Sequence, residues 1–215
     1  MKEVYISIDV EADGPIPGVN SMLSLGAAAF IRTPLPVNPE CRTHHYGHRD
    51  EKCICQGQPW QMLDTFSANL NQLEGATPFP ATMDWWKTQP EAWAEATRDQ
   101  QHPERAMWDF VQWVQKMAQH GAPVLVGYPV TYDFMFVYWY TVKFTGFPAP
   151  FGFQGLDIKT LVMDRLGCAF KHSAKRNMPQ RWFKGAPKHT HKAVDDAIGQ
   201  GVLLMNILTE YPGTR

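Results

Sequence analysis

Long apolar runs are missing from this chain. Its most apolar stretch, Phe134 to Val142, is far shorter than the roughly 20 residues a membrane helix needs. Cysteine is scarce, with four in 215 residues, so reduced thiols are expected and a disulfide scaffold is excluded. Charge of one sign is lacking too. The net formal charge is -1, so whole-molecule charge points to no class of partner, and any steering must come from local patches. The opening MKEVYISIDVEADG has no apolar signal core and no small-residue cleavage site, and its acids argue against a transit peptide. A soluble, cytoplasmic protein is the expectation. What is present is apolar side chain, at 44%, enough for the core of one domain over residues 1–215.

Val4-Tyr5-Ile6-Ser7-Ile8 reads as a buried strand ending in the acidic Asp9-Val10-Glu11. Gly14-Pro15 and Pro17-Gly18 force a loop. Met22 to Ile31 reads as a second strand despite its alanines, and Thr65 to Leu70 as a third. Residues 32–60, rich in Pro, Cys and His, suggest an irregular excursion. Short helices broken at Pro90 fit 82–97, and Glu104 to His120 repeats Met107, Val111, Val114 and Met117 at helical spacing. Val124 to Tyr128 is a strand, Asp133 to Phe144 a helix, Leu156 to Ile158 a brief strand, Lys159 to Leu166 a helix and Ala193 to Thr209 the last helix. The order predicts an α/β fold with a hairpin-rich first half and βα units after it.

Asp9 and Glu11 are two apart on a strand and so share a face. Two carboxylates there repel unless neutralised, and a hard divalent cation suits oxygen ligands. Taken alone, Asp-x-Glu also describes an ordinary solvated strand end. Asp133 follows the strand at 124–128, near a helix start where it would equally serve as a cap or dipole partner. Strand ends of α/β sheets converge on one crevice, which adds weight to the set. Asp195 or Asp196 supplies a further carboxylate, with His191 just ahead. Helical geometry pairs His191 with Asp195, four residues on.

Together, I-D-V-E (Ile8 to Glu11), Y-P-V-T-Y-D (Tyr128 to Asp133) and H-K-A-V-D-D-A (His191 to Ala197) resemble the motifs of the DEDD 3'-5' exonucleases, histidine subclass, of the ribonuclease-H-like superfamily. Pro129 stands where the family often has Asn. Met83 to Glu91 resembles a segment of one bacterial exoribonuclease branch. The resemblance implies a mixed five-stranded sheet flanked by helices. It also implies two ions, Mg2+ or Mn2+, held by Asp9, Glu11, Asp133 and Asp196, with His191 as general base. The family's His-x4-Asp spacing selects Asp196, and leaves Asp195 as a first-turn acid. The implied activity releases nucleoside 5'-monophosphates from the 3' end of single-stranded RNA or DNA, or of short oligonucleotides. Two ions ~3.5–4 Å apart stabilise both the attacking and the leaving oxygen. The alternative is a non-catalytic nucleic-acid-binding module on the same fold.

The resemblance sets Ala12, Asp13 and Gly14 against the terminal nucleotide, with Ser21 and Met22 as weaker candidates. Lys171, Lys175, Arg176, Arg181, Lys184, Lys188 and Lys192 form a stretch with no acid, suited to phosphates. Lys184 and Lys188 are the substrate candidates in it, and Trp182 and Phe183 are placed to stack on bases. Trp86 is a candidate for flanking the substrate groove. Asp157 reads as a residue leading into a helix. Cys41, His44, His45, His48, Cys53 and Cys55 have metal-binding side chains, but not the paired spacing of structural zinc.

Overall fold

The computed structural model describes residues 2–33, 59–146, 148–188 and 190–210. The Cys/His-rich excursion at 41–55 lies outside them. Five strands form one sheet in the order β3-β2-β1-β4-β5. They are β1 (Glu3–Ala12), β2 (Met22–Arg32), β3 (Trp60–Asn69), β4 (Ala122–Gly127) and β5 (Gly155–Asp157). The β1–β2 and β2–β3 pairs are antiparallel, whereas β4 runs parallel to both β1 and β5. This is the expected mixed sheet, with the hairpins first. The helices are α1 (Pro80–Lys87), α2 (Pro90–Ala96), α3 (Pro103–Met117), α4 (Val130–Thr145), α5 (Ile158–Leu166) and α6 (Ala193–Glu210). Among the described residues no helix is long and apolar enough to cross a membrane.

The pleat of β1 sorts its side chains. Val4, Ile6, Ile8 and Val10 join the core shared with Phe110 and Val114 of α3 and Phe136 and Tyr140 of α4. Tyr5 faces the other core, with Leu203, Leu204 and Ile207 of α6 and Val162 of α5. Ser7, Asp9 and Glu11 are in phase with Tyr5, so the acids point to the α6 side of the sheet.

What brings α6 there is the small-residue run of β2. Gly26 pairs with Asp9, and a Cβ on Gly26 would stand 2.1 Å from the carbonyl carbon of Ala193 and 2.2 Å from the nitrogen of Val194. The first turn of α6 therefore rests directly on the strand beside the acids. Gly201, two turns on, leaves room for the Phe30 ring. Gly26→Ala would drive a methyl into helix backbone, which cannot rotate away. We expect a loss of about 3 kcal/mol, which lowers Tm by about 6–12 °C. A thermal melt unchanged by the substitution would show that α6 does not pack there.

Asp157 is the N-cap of α5, accepting from Thr160 N–H at 2.9 Å. It also accepts from Val130 N–H at 3.0 Å, and so ties the starts of α4 and α5 together.

Candidate active site

The carboxylates meet where β4 stops. Pairing of β1 with β4 runs only to Ser7 and Val126. Beyond it the Val10 N–H, in the middle of Asp9-Val10-Glu11, is taken by Asp133 Oδ1 at 2.9 Å. Asp133 lies in the first turn of α4 rather than at its cap, which is Pro129. A side chain thus completes the ladder that the strand leaves unfinished, and this fixes Asp133 against β1.

On the α6 side, ligand atoms of Glu11, His191 and Asp196 all lie within 4.8 Å of one another. Asp196 is buried on the first turn of α6. His191 precedes the helix with a left-handed backbone (φ 55°), and its ring stands nearly perpendicular to that of Trp85, the ring centres 5.4 Å apart. Asp195 is turned elsewhere, accepting from Thr190 Oγ1 at 2.9 Å. The structure therefore groups His191 with the aspartate five residues on, not four, because the histidine stands outside the helix.

The electrostatics are those of a crowded acidic site. Burial pushes the Asp9 carboxyl well above the usual range, with Asp133, Glu11 and Asp196 adding to the effect. Burial and then Asp196 and Asp133 push Glu11 up to about 8. Burial pushes Asp133 to about 7, against the opposing Val10 N–H. Lys175 opposes the rise at both Asp9 and Asp133. Gln200 adds one direct donor, with Nε2 2.7 Å from Asp9 Oδ1. This set fits a hard divalent cation, since oxygen donors predominate and a cation would relieve the repulsion.

The candidate substrate residues are placed less uniformly. Ala12, Asp13, Ser21 and Met22 are buried, as is Gly14. Asp13 accepts from Ser21 N–H at 2.6 Å and from Gln72 Nε2 at 3.0 Å, so it braces the turn after β1. Met22 N–H donates to the Tyr140 hydroxyl at 2.6 Å. Trp86 is 2% exposed and donates Nε1–H to the Ala12 carbonyl at 3.0 Å. The exposed tryptophan beside the site is its neighbour Trp85. Sequence periodicity did not separate the two.

Lys184 and Lys188 are exposed, and the Lys184 carbonyl accepts from Asn206 at 3.0 Å. The loop cation that acts on the carboxylates is Lys175, whose ammonium lies 5.2 Å from the centre of the Tyr128 ring. Tyr128 in turn donates to the Ser173 carbonyl at 2.6 Å, pinning the basic segment to the end of β4. The expectation that Trp182 stacks on bases is overturned. Trp182 is 1% exposed and donates to Glu210 at 2.8 Å, while Arg181 grips the same carboxylate at 2.6 Å and 2.7 Å. Phe183 is partly buried and packs against the α5–α6 core. Without an acid of its own, the segment draws its counter-charge from α6, nearly 30 residues later, and turns its aromatic inward.

A family model for the Rv2179c-like 3'-5' exoribonuclease domain matches residues 4–208. The 3'-5' DNA exonuclease Cap18 of Escherichia coli is 28% identical over 161 residues, covering 74% of this chain and 68% of that protein. Among solved structures, the nuclease domain of 3'hExo, a DEDDh family member bound to rAMP, superposes with a TM-score of 0.63 at 10% identity, covering 99% of this chain and 94% of that one. Pop2p of S. pombe, in a form with Mg2+ and Mn2+ bound, has a TM-score of 0.54 at 13% identity, covering 96% and 83%. The fold is thus that of the ribonuclease-H-like exonucleases, and by its sequence the chain belongs to the Rv2179c-like 3'-5' exoribonuclease family, an enzyme that acts as a 3'-5' exonuclease.

Proposed function

We propose that this exonuclease depends on two divalent cations, Mg2+ or Mn2+, and removes nucleoside 5'-monophosphates from the 3' end of single-stranded nucleic acid. The observation that carries the reading is the convergence of Glu11, His191 and Asp196 on the face that also bears Asp9. Asp133 closes the group from α4. Asp9, Glu11, Asp133 and Asp196 would hold the cations, whose chemistry is to lower the pKa of water and to screen charge building on the phosphate. His191 accepts the proton of the attacking water, a task suited to imidazole near neutral pH. Trp85 buttresses the imidazole edge-on. Ala12, Asp13 and Gly14 shape the turn that receives the terminal nucleotide, with Asp13 holding its form from beneath. Lys175, Lys184 and Lys188 contribute positive charge along the path of the strand. The matched family is described as exoribonucleases and the Escherichia coli relative as a DNA exonuclease, so both sugars belong in the test.

The experiment uses matched RNA and DNA oligonucleotides labelled at the 5' end, with Mg2+, Mn2+ or EDTA. The expected result is a ladder of products shortened one nucleotide at a time from the 3' end, abolished by EDTA. The ratio of the two rates reads the sugar preference. Degradation that persists in EDTA would sink the metal assignment.

A further inference from the structure

Gln200 has no place in the motifs, yet it is 3% exposed and its amide is inside the site. It lies four residues after Asp196 on α6 and therefore on the same helical face. Its Nε2 donates to Asp9 Oδ1 at 2.7 Å. Its Oε1 is buried and has no hydrogen-bond partner among the described residues. A buried acceptor left unmatched costs on the order of 1–3 kcal/mol. Turning the amide over would not help, because it would set Oε1 against an Asp9 oxygen. The side chain is thus held by one end at a carboxylate, and the other end has no donor among the described residues.

We propose that Gln200 is a positioning residue for Asp9. Its Nε2–H occupies one carboxylate oxygen and fixes the rotation of the group, leaving the second oxygen aimed at the cation, while Oε1 receives a water that enters with it. This rests on the metal-dependent reading above. A neighbour that orients a ligand carboxylate affects affinity without itself touching the ion, typically by 10–100-fold. Gln200 is well suited to this among four acids, because it is a neutral donor and adds no further charge.

The test is Mn2+ titration calorimetry on metal-free protein, with no substrate present. Gln200→Met keeps the shape and removes the donor, and is expected to raise the Mn2+ Kd by about 10–100-fold. Gln200→Asn keeps an amide on a shorter arm and should fall between Met and wild type; it also serves if the Met variant fails to fold. Gly199→Ala, where an added Cβ meets nothing within 4 Å, should leave Kd within about twofold, which separates this role from a general disturbance of α6. If Asp9→Asn loses Mn2+ while both Gln200 variants bind as wild type does, the role of Gln200 is overturned and the metal reading survives. Wild-type protein that binds no Mn2+ overturns both.

Discussion

Asp9→Asn is expected to end metal-dependent turnover and, at the same time, to make the metal-free protein harder to melt. The two effects share a cause. Asp9 is buried among Asp133, Glu11 and Asp196, and all the resolved shifts at these acids are upward. Glu11 titrates at about 8 in the folded protein against an ordinary value of 4.5. Between those values the folded state binds more protons than the unfolded chain. The stability of the metal-free protein therefore falls as pH rises through that window and levels off above it. Removing the Asp9 charge lifts part of this burden, because Asp9 is buried beside Asp133, Glu11 and Asp196. The Asn variant should therefore melt at a higher temperature than wild type at pH 8, with a smaller gain near pH 5, where Glu11 and Asp133 still hold their protons. Melts in EDTA at the two pH values, with an oligonucleotide assay in Mg2+, check both halves. Retained turnover in the Asn variant would remove Asp9 from the active site.

His191→Ala is expected to slow turnover by about 10²- to 10⁴-fold near pH 7, the range for loss of a general base, while Mn2+ affinity stays close to wild type. The geometry makes the second measurement necessary. His191 is near enough to Glu11 and Asp196 to join them as a ligand, and a ligand and a base both matter for rate. Calorimetry separates them: a base leaves binding intact, whereas a ligand takes affinity with it. A variant with the wild-type rate would give His191 neither task. The substitution also strips Trp85 of one of its ring contacts, so Trp85→Ala belongs beside it as a control for the packing contribution.

β1 and β2 were readable from their apolar runs and begin and end within a residue or two of what the pattern implies, whereas β3 starts at Trp60, five residues before the expected Thr65. Asp9, Glu11, Asp133, His191 and Asp196 were legible as a set through their motif resemblance, and the fold brings them together. What could not be read is contact over long separations. The Gln200–Asp9 bond spans 191 residues, and no local rule marks a glutamine one turn after Asp196 as a partner for a strand acid. Trp85 and Trp86 are adjacent, and only the tertiary placement of α1 decides that one is buried on Ala12 while the other meets His191. The basic stretch holds no acid of its own, yet Glu210 claims Arg181 and Trp182 from the end of α6.

The central place of β1 has a consequence in time. Through Ser7 the strand is paired on both edges, so its amides should exchange with deuterated solvent only when the whole molecule opens. His191 comes from the segment ahead of α6, outside the sheet and with a left-handed backbone. Asp9 and Glu11 continue that strand past its doubly paired stretch, held by β2 on one edge and by the Asp133 carboxylate on the other. Hydrogen exchange is therefore expected to be slowest from Tyr5 to Ser7, the stretch from which the acid-bearing end of the strand extends.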